Sequence, residues 1–167
     1  FKRPTLYGSF DDGERYAFFC KAVMEALPII EFFPDVLHAH DWQSALTVIY
    51  LRQHYAGKDG YRDIKSVFTI HNIAYQGVYG HGILGDVFEL SAEDKYVVDY
   101  NGTINLMKGA IVCANIVSTV SPTYANEILS PAFSHGLHYV LEQNRGKLKG
   151  ILNGIDTEYY NPLTDTE

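Results

Sequence analysis

The sequence predicts an α/β fold built on a parallel sheet, and three observations carry that prediction. Short β-rich runs alternate with longer stretches of helical periodicity, the order expected of parallel strands joined by right-handed crossovers. Two of the runs end in polar, hydrogen-bonding residues. Pro34-Asp35-Val36-Leu37 leads into His38-Ala39-His40-Asp41-Trp42, and Lys65-Ser66-Val67-Phe68-Thr69-Ile70 leads into His71-Asn72-Ile73-Ala74-Tyr75-Gln76-Gly77-Val78. An open α/β sheet places its ligand outside the carboxyl ends of its strands, so two such ends imply one shared cleft. Finally, Ser121-Pro122 sits directly after a strand-like run and supplies an N-cap serine with proline at the first helical position.

The elements follow in order along the chain. Asp11-Asp12-Gly13 precedes a first helix over 14–27, where Tyr16, Phe19, Val23, Ala26 and Leu27 recur at helical spacing before Pro28 marks the exit. Val36-Leu37 forms a short strand. Trp42, Ala45, Leu46 and Ile49 place an apolar stripe on a helix ending near 54–57, and a polar loop over 58–63 leads to the strand at 67–70. The segment from Tyr75 to Tyr100 is glycine-rich and then mixed, which predicts a long functional loop with short helical pieces. Asn105 to Cys113 reads as a helix turning Leu106, Met107, Ala110 and Ile111 inward, followed by a strand at 116–120, the helix started by Ser121, a short helix over 136–143, and a last apolar run from Leu148 to Leu152.

At 167 residues and 47% hydrophobic content, the chain suffices for one core and so for one domain. Twenty acidic against thirteen basic residues give a formal net charge of −7, which argues against nucleic acid as the partner, since a phosphate backbone demands a basic stripe. Cys20 and Cys113 lie far apart with no C-x-x-C spacing, so neither a disulfide framework nor a zinc knuckle is indicated and a reducing, cytoplasmic compartment is expected. No stretch reaches the ~20 apolar residues of a membrane span, and no signal segment is visible. The chain begins at Phe1 rather than methionine, which suggests a piece of something longer.

Three features are candidates for chemistry, each with a structural counterpart. His38 and His40, two apart on a strand, would share a face and offer imidazoles to a metal together with Asp41. No familiar spacing supplies a further ligand, and without a metal one histidine would face the cleft and the other the core. Asp11 or Asp12 either faces a ligand or caps the first helix, where the positive end of the dipole favours a carboxylate. The residues His71 to Gly77 form the third. Glycines 77, 80, 82 and 85 do not make a phosphate-binding fingerprint. Tyr75, Tyr79, Tyr96 and Tyr100 suit stacking on sugars, and equally suit half-buried packing.

Four motifs in order, Asp35-Val36-Leu37-His38-Ala39-His40-Asp41-Trp42, Ser66 through Gly77, Val120-Ser121-Pro122-Thr123-Tyr124-Ala125 and Leu152-Asn153-Gly154-Ile155-Asp156, closely resemble those of the bacterial glycogen synthase and plant starch synthase family, from Asp11 to Asn161-Pro162. The resemblance implies a glycosyltransferase of two Rossmann-like domains facing each other across a cleft. Such enzymes move glucose from ADP-glucose to the non-reducing end of an α-1,4-glucan with retained configuration, without cofactor or metal.

By the same resemblance, His40 matches the histidine contacting the transferred glucose, with its carbonyl near the developing positive charge, and Asp11 matches the acidic residue placed in the active cleft. His71, Asn72, Tyr75 and Gln76 match the loop lining that cleft, and Asn153 the asparagine of the crossover segment near the sugar. The family's lysine-glycine-glycine motif and its second, nucleotide-binding domain are not found in the sequence. Residues 1–167 are therefore expected to be most of the acceptor-side domain, inactive alone and prone to self-association through an exposed sheet edge or apolar patch. A non-catalytic glucan-binding module is the competing reading, and metal-dependent hydrolysis through His38, His40 and Asp41 the third.

Overall fold

The structure is a computed structural model that describes residues 3–161 and 163; Pro162, the far end of the resemblance, lies outside them. Four parallel strands form the main sheet in the order β1-β2-β6-β7, with β1 at Val36–His40, β2 at Lys65–Ile70, β6 at Ile116–Thr119 and β7 at Leu148–Gly150. Register is set by His40 opposite Thr69, Ile70 opposite Thr119 and Thr119 opposite Gly150, so the carboxyl ends finish level. Helices flank the sheet: α1 (Asp12–Ile29) packs on α2 (Asp41–Tyr50), and α2 packs on β1, β2 and α4 (Leu106–Cys113). This is the predicted α/β architecture.

The core lies where these layers meet. Leu106, Met107, Ala110 and Ile111 of α4 are buried as their spacing predicts, and so are Trp42, Ala45, Leu46 and Ile49 of α2. Close approach of α2 and α4 depends on Gly109, since a Cβ there would stand 2.7 Å from Ile49 Cδ1 and 2.9 Å from Val98 Cγ1. Helix α5 (Pro122–Glu127) starts as expected, with the Ser121 hydroxyl accepting from Tyr124 N–H and proline in the first turn. Helix α6 spans His138–Gln143.

Several elements differ from expectation for identifiable reasons. Strand β1 does not stop at Leu37 but runs through His38 and His40, because both pair with β2. Helix α1 continues through Pro28 to Ile29. Proline removes the N–H that would bond the Met24 carbonyl, and the Tyr61 hydroxyl donates to that carbonyl instead, at 2.5 Å. The buried face of α1 is Ala17, Cys20, Met24 and Leu27, while Phe19 of the expected stripe remains 43% exposed. Strand β7 ends at Gly150, leaving Ile151 and Leu152 of the apolar run exposed.

The segment over 75–105 is more ordered than a loop. It folds into a small antiparallel sheet, β3-β5-β4, from Val78–Tyr79, Thr103–Asn105 and Asp99–Tyr100, with a short helix α3 at Lys95–Val98. Phe88, Leu90, Val97, Val98 and Ile104 anchor it in the core. Strands of two or three residues are too short for alternation to reveal.

Candidate functional site

The β1–α2 junction shapes the site. Helix α2 begins immediately after His40 because Asp41 adopts a left-handed backbone, φ 54°, a conformation that costs a non-glycine residue energy and concentrates at functional sites. The turn lets the Asp41 carboxylate reach across to the end of β2, where Oδ1 accepts from His71 N–H at 2.8 Å and Asn72 N–H at 3.3 Å. One turn into α2, the Ser44 hydroxyl lies 2.6 Å from His40 N, which donates to it, and 2.7 Å from the His40 carbonyl, which accepts from it. Both strand ends are thus fixed by side chains of the same helical start.

Three imidazoles converge on this frame. His40 Nδ1 lies 3.0 Å from His71 Nε2, and the His38 and His40 rings lie 4.2 Å apart, centroid to centroid. His38 and His40 share the exposed face of β1, so neither points into the core as a non-metal reading required. His38 Nε2 instead meets Thr69 Oγ1 at 2.7 Å, which meets the buried Ser118 hydroxyl at 2.6 Å. Partial burial of the ring above all, then the neighbouring His38 and His71, holds the His40 pKa below its ordinary value. A neutral His40–His71 pair satisfies its contact with one donor and one acceptor, whereas two imidazoliums would face N–H to N–H.

Asn153, after β7, closes a recess of about 180 Å³ with His38, His40, His71, Thr69, Ser118, Thr119, Val120 and Ile151. Among the described residues no lysine, arginine or carboxylate lines it. Such a surface of imidazole, hydroxyl and amide groups over apolar walls suits a neutral polyhydroxyl ligand. Asn72 and Tyr75 line a neighbouring recess of about 170 Å³ with Tyr7, Asp41, Trp42 and Gln43. Tyr75 is 62% exposed there. Trp42 floors the turn: Gly77, at φ 66°, brings its backbone so close that a Cβ would stand 2.7 Å from the indole.

The other sequence candidates fall elsewhere. Gln76 uses its amide internally, donating to the Ile73 and His135 carbonyls at 3.0 Å and accepting from Asn105 Nδ2 at 2.7 Å. It ties the turn to the start of α4. Asp11 stands at the N-cap position without a side-chain cap bond, and its carboxylate takes a two-pronged bond from Arg3, which holds its pKa below the usual carboxylate value. Asp12 does not cap α1 either; its Oδ2 accepts from Gly8 and Ser9 N–H and fastens the preceding segment. Among the described residues no group of three His, Cys, Asp or Glu is arranged to hold a metal ion, and the Asp41 oxygen expected to join one is spent on backbone N–H groups. Tyr79 packs against Trp42 and Phe88, and the Tyr100 hydroxyl bonds the Gly136 carbonyl, so these two tyrosines are structural.

Sequence reasoning missed Ser44 and the hydroxyls of Thr69, Ser118 and Thr119. A signal existed for the last two: Val117-Ser118-Thr119-Val120 puts polar groups at a strand's carboxyl end, as the histidines do on β1 and β2.

The starch synthase catalytic domain family matches residues 1–143. Glycogen synthase of Geobacillus thermodenitrificans is 47% identical over 167 residues, covering 99% of this chain and 34% of that protein. Glycogen synthase of Streptococcus uberis is also 47% identical, over 99% of this chain and 35% of its own length. The chain thus spans about a third of the curated relatives it matches. Among solved structures, the catalytic domain of starch synthase IV from Arabidopsis thaliana, bound to ADP and acarbose, superposes with a TM-score of 0.85 at 37% identity, covering 98% of this chain and 34% of that one.

Proposed function

The chain belongs to the starch synthase catalytic domain family, and from that premise we propose that it forms the acceptor-side half of a glucosyltransferase cleft, moving glucose from ADP-glucose to the non-reducing end of an α-1,4-glucan. One observation carries the reading: His40, His71 and Asn153 converge on a single uncharged recess at the carboxyl ends of the sheet. Retaining glycosyl transfer passes through an oxocarbenium-like state, which fixed oxygen dipoles stabilise. The His40 carbonyl, anchored by Ser44, is such a dipole, and the paired imidazoles donate to sugar hydroxyls. Tyr75 and Asn72, beside them, extend the surface along a glucan. Asp11 acts in the cleft only after Arg3 releases it, so its role is the least direct.

The departing diphosphate demands cations, and among the described residues none line the recess. They belong to the further length that the relatives have and this chain's 167 residues do not span. These residues alone are expected to transfer no glucose and to self-associate through the exposed strip at Ile151, Leu152, Ile155, Tyr159 and Tyr160. We place the enzyme in the cytoplasm; no helix among the described residues is long and apolar enough to cross a membrane.

The test is incorporation of labelled glucose from ADP-glucose into glycogen by the intact protein, wild type against His40→Ala at matched folding. An active wild type with an inactive variant supports the assignment. An inactive, folded wild type that is retained on glycogen through Tyr75 favours a binding module instead.

A further inference from the structure

The amino-terminal end of the sheet, opposite the imidazole cleft, holds a recess of about 90 Å³ where the turn over 56–64 meets the starts of β2 and β6. Arg52, Arg62 and Lys65 line it together with Ser66, Cys113 and Asn115, and among the described residues no carboxylate does. That is unexpected in a chain of net charge −7. Several other cations are matched: Arg3 to Asp11, Arg15 to Asp12, Lys21 to Glu89, Arg145 to Glu142, and the Lys108 and Lys147 ammonium groups to backbone carbonyls. Among the described residues, Arg52, Arg62 and Lys65 have neither a side-chain hydrogen bond nor an ion pair. The charge of Arg52 also reaches Lys147 and Cys113, so this edge concentrates like charge, which repels itself unless an anion intervenes.

Two local features build the recess. At Leu51 helix α2 widens into a π-helical turn, Leu51–Tyr55, which carries Arg52; such turns are rare and often mark functional sites. Asn115 Oδ1 accepts from Ser66 N–H at 2.8 Å and from the Ser66 hydroxyl at 3.2 Å. A backbone N–H only donates, so the amide oxygen is committed there and Asn115 Nδ2 remains a donor. The volume is room for a few waters at about 30 Å³ each, enough for one tetrahedral oxyanion with any ester group left outside.

We propose that Arg52, Arg62, Lys65 and the Asn115 amide bind a single phosphoryl group, as inorganic phosphate or as the phosphate of a small ester. Guanidinium forks match a tetrahedral oxyanion with paired, charge-assisted bonds. The site is remote from the sugar cleft and does not depend on the function proposed for it.

The experiment is a phosphate titration of the intact protein by calorimetry and melting temperature, against chloride at equal ionic strength, with saturating ADP to fill any nucleotide-phosphate site. Phosphate, and not chloride, should raise the melting temperature, because a ligand of the native state stabilises it by mass action. The double variant Arg52→Gln/Arg62→Gln should weaken phosphate binding about tenfold or more. Lys65→Gln, at an exposed residue whose side chain has no partner, should weaken it severalfold without lowering the melting temperature in chloride, which excludes misfolding as the cause. A parallel titration with a hexose phosphate separates the sources: tighter binding than inorganic phosphate assigns an ester, and equal or weaker binding assigns the free ion. Absence of a phosphate-specific effect in wild type, or undiminished affinity in both variants, overturns the proposal. Neither result bears on the His40→Ala test.

Discussion

At the carboxyl end of the sheet the chain gathers His38, His40, His71, Asn153 and three hydroxyls around a recess that no described lysine, arginine or carboxylate lines. At the amino end it gathers Arg52, Arg62 and Lys65 around a smaller one. The two ends share a scaffold and differ in what they can hold. Neutral donors and acceptors orient a sugar without the desolvation cost of formal charge, whereas unpaired cations select an oxyanion. A transferase must handle both sugar and diphosphate. The imidazole recess offers no charge for a leaving group, so the proposed reaction requires cations from outside it.

The comparison is broken most decisively at His40. In the intact protein His40→Ala should lower glucose transfer by about 100-fold or more, the scale of losing one preorganised electrostatic group, with little change in melting temperature because the residue lies outside the buried core. Transfer near the wild-type rate would remove the imidazole end from catalysis.

Asp41→Gly sharpens the same point. Glycine accepts φ 54° without strain, so the variant removes only the carboxylate that clamps His71 and Asn72. Transfer should fall about tenfold from misplacement of the cleft wall, and Asp41→Asn, which still accepts a hydrogen bond, should recover part of it.

Gln76→Leu tests whether the turn is held from behind rather than by ligand. Loss of its three bonds should cost about 2–4 kcal/mol in urea unfolding, since each hydrogen bond contributes roughly 0.5–1.5 kcal/mol. Direct contact with glucan would appear instead as a raised KM at unchanged stability.

The smallest effect is in pH dependence. Partial burial, then His38 and His71, lowers the His40 pKa below its ordinary 6.5, so the unfolded chain binds this proton more tightly than the native one. The stability attributable to His40 is full above about pH 6.5 and is lost as pH falls through the lower native value. Melting curves between pH 7 and pH 5 should show a shallower decline for His40→Gln than for wild type.

Much of the architecture was legible because it is local. Leu106, Met107, Ala110 and Ile111 mark an inward face by spacing alone, and Ser121-Pro122 marks a helix start by hydrogen-bonding capacity alone. Expectation failed where a distant residue intervenes. Pro28 sits inside α1 because Tyr61 serves the orphaned Met24 carbonyl. Asp11 does not cap because Arg3 claims it, and Gln76 turns inward because His135 and Asn105 receive it. The β3-β5-β4 sheet escaped notice because pairs of residues carry no period.

By itself the sequence determined the α/β class, the helix faces and the placement of imidazoles and amides at strand ends, since periodicity and capping depend on neighbours a few residues away. Only the tertiary structure decided that His40 and His71, far apart in sequence, lie 3.0 Å apart, that Asp41 clamps the partner strand, and that three unpaired cations meet at the opposite edge. Those contacts follow from strand order and register, which are fixed when the whole core is buried and not by any segment alone.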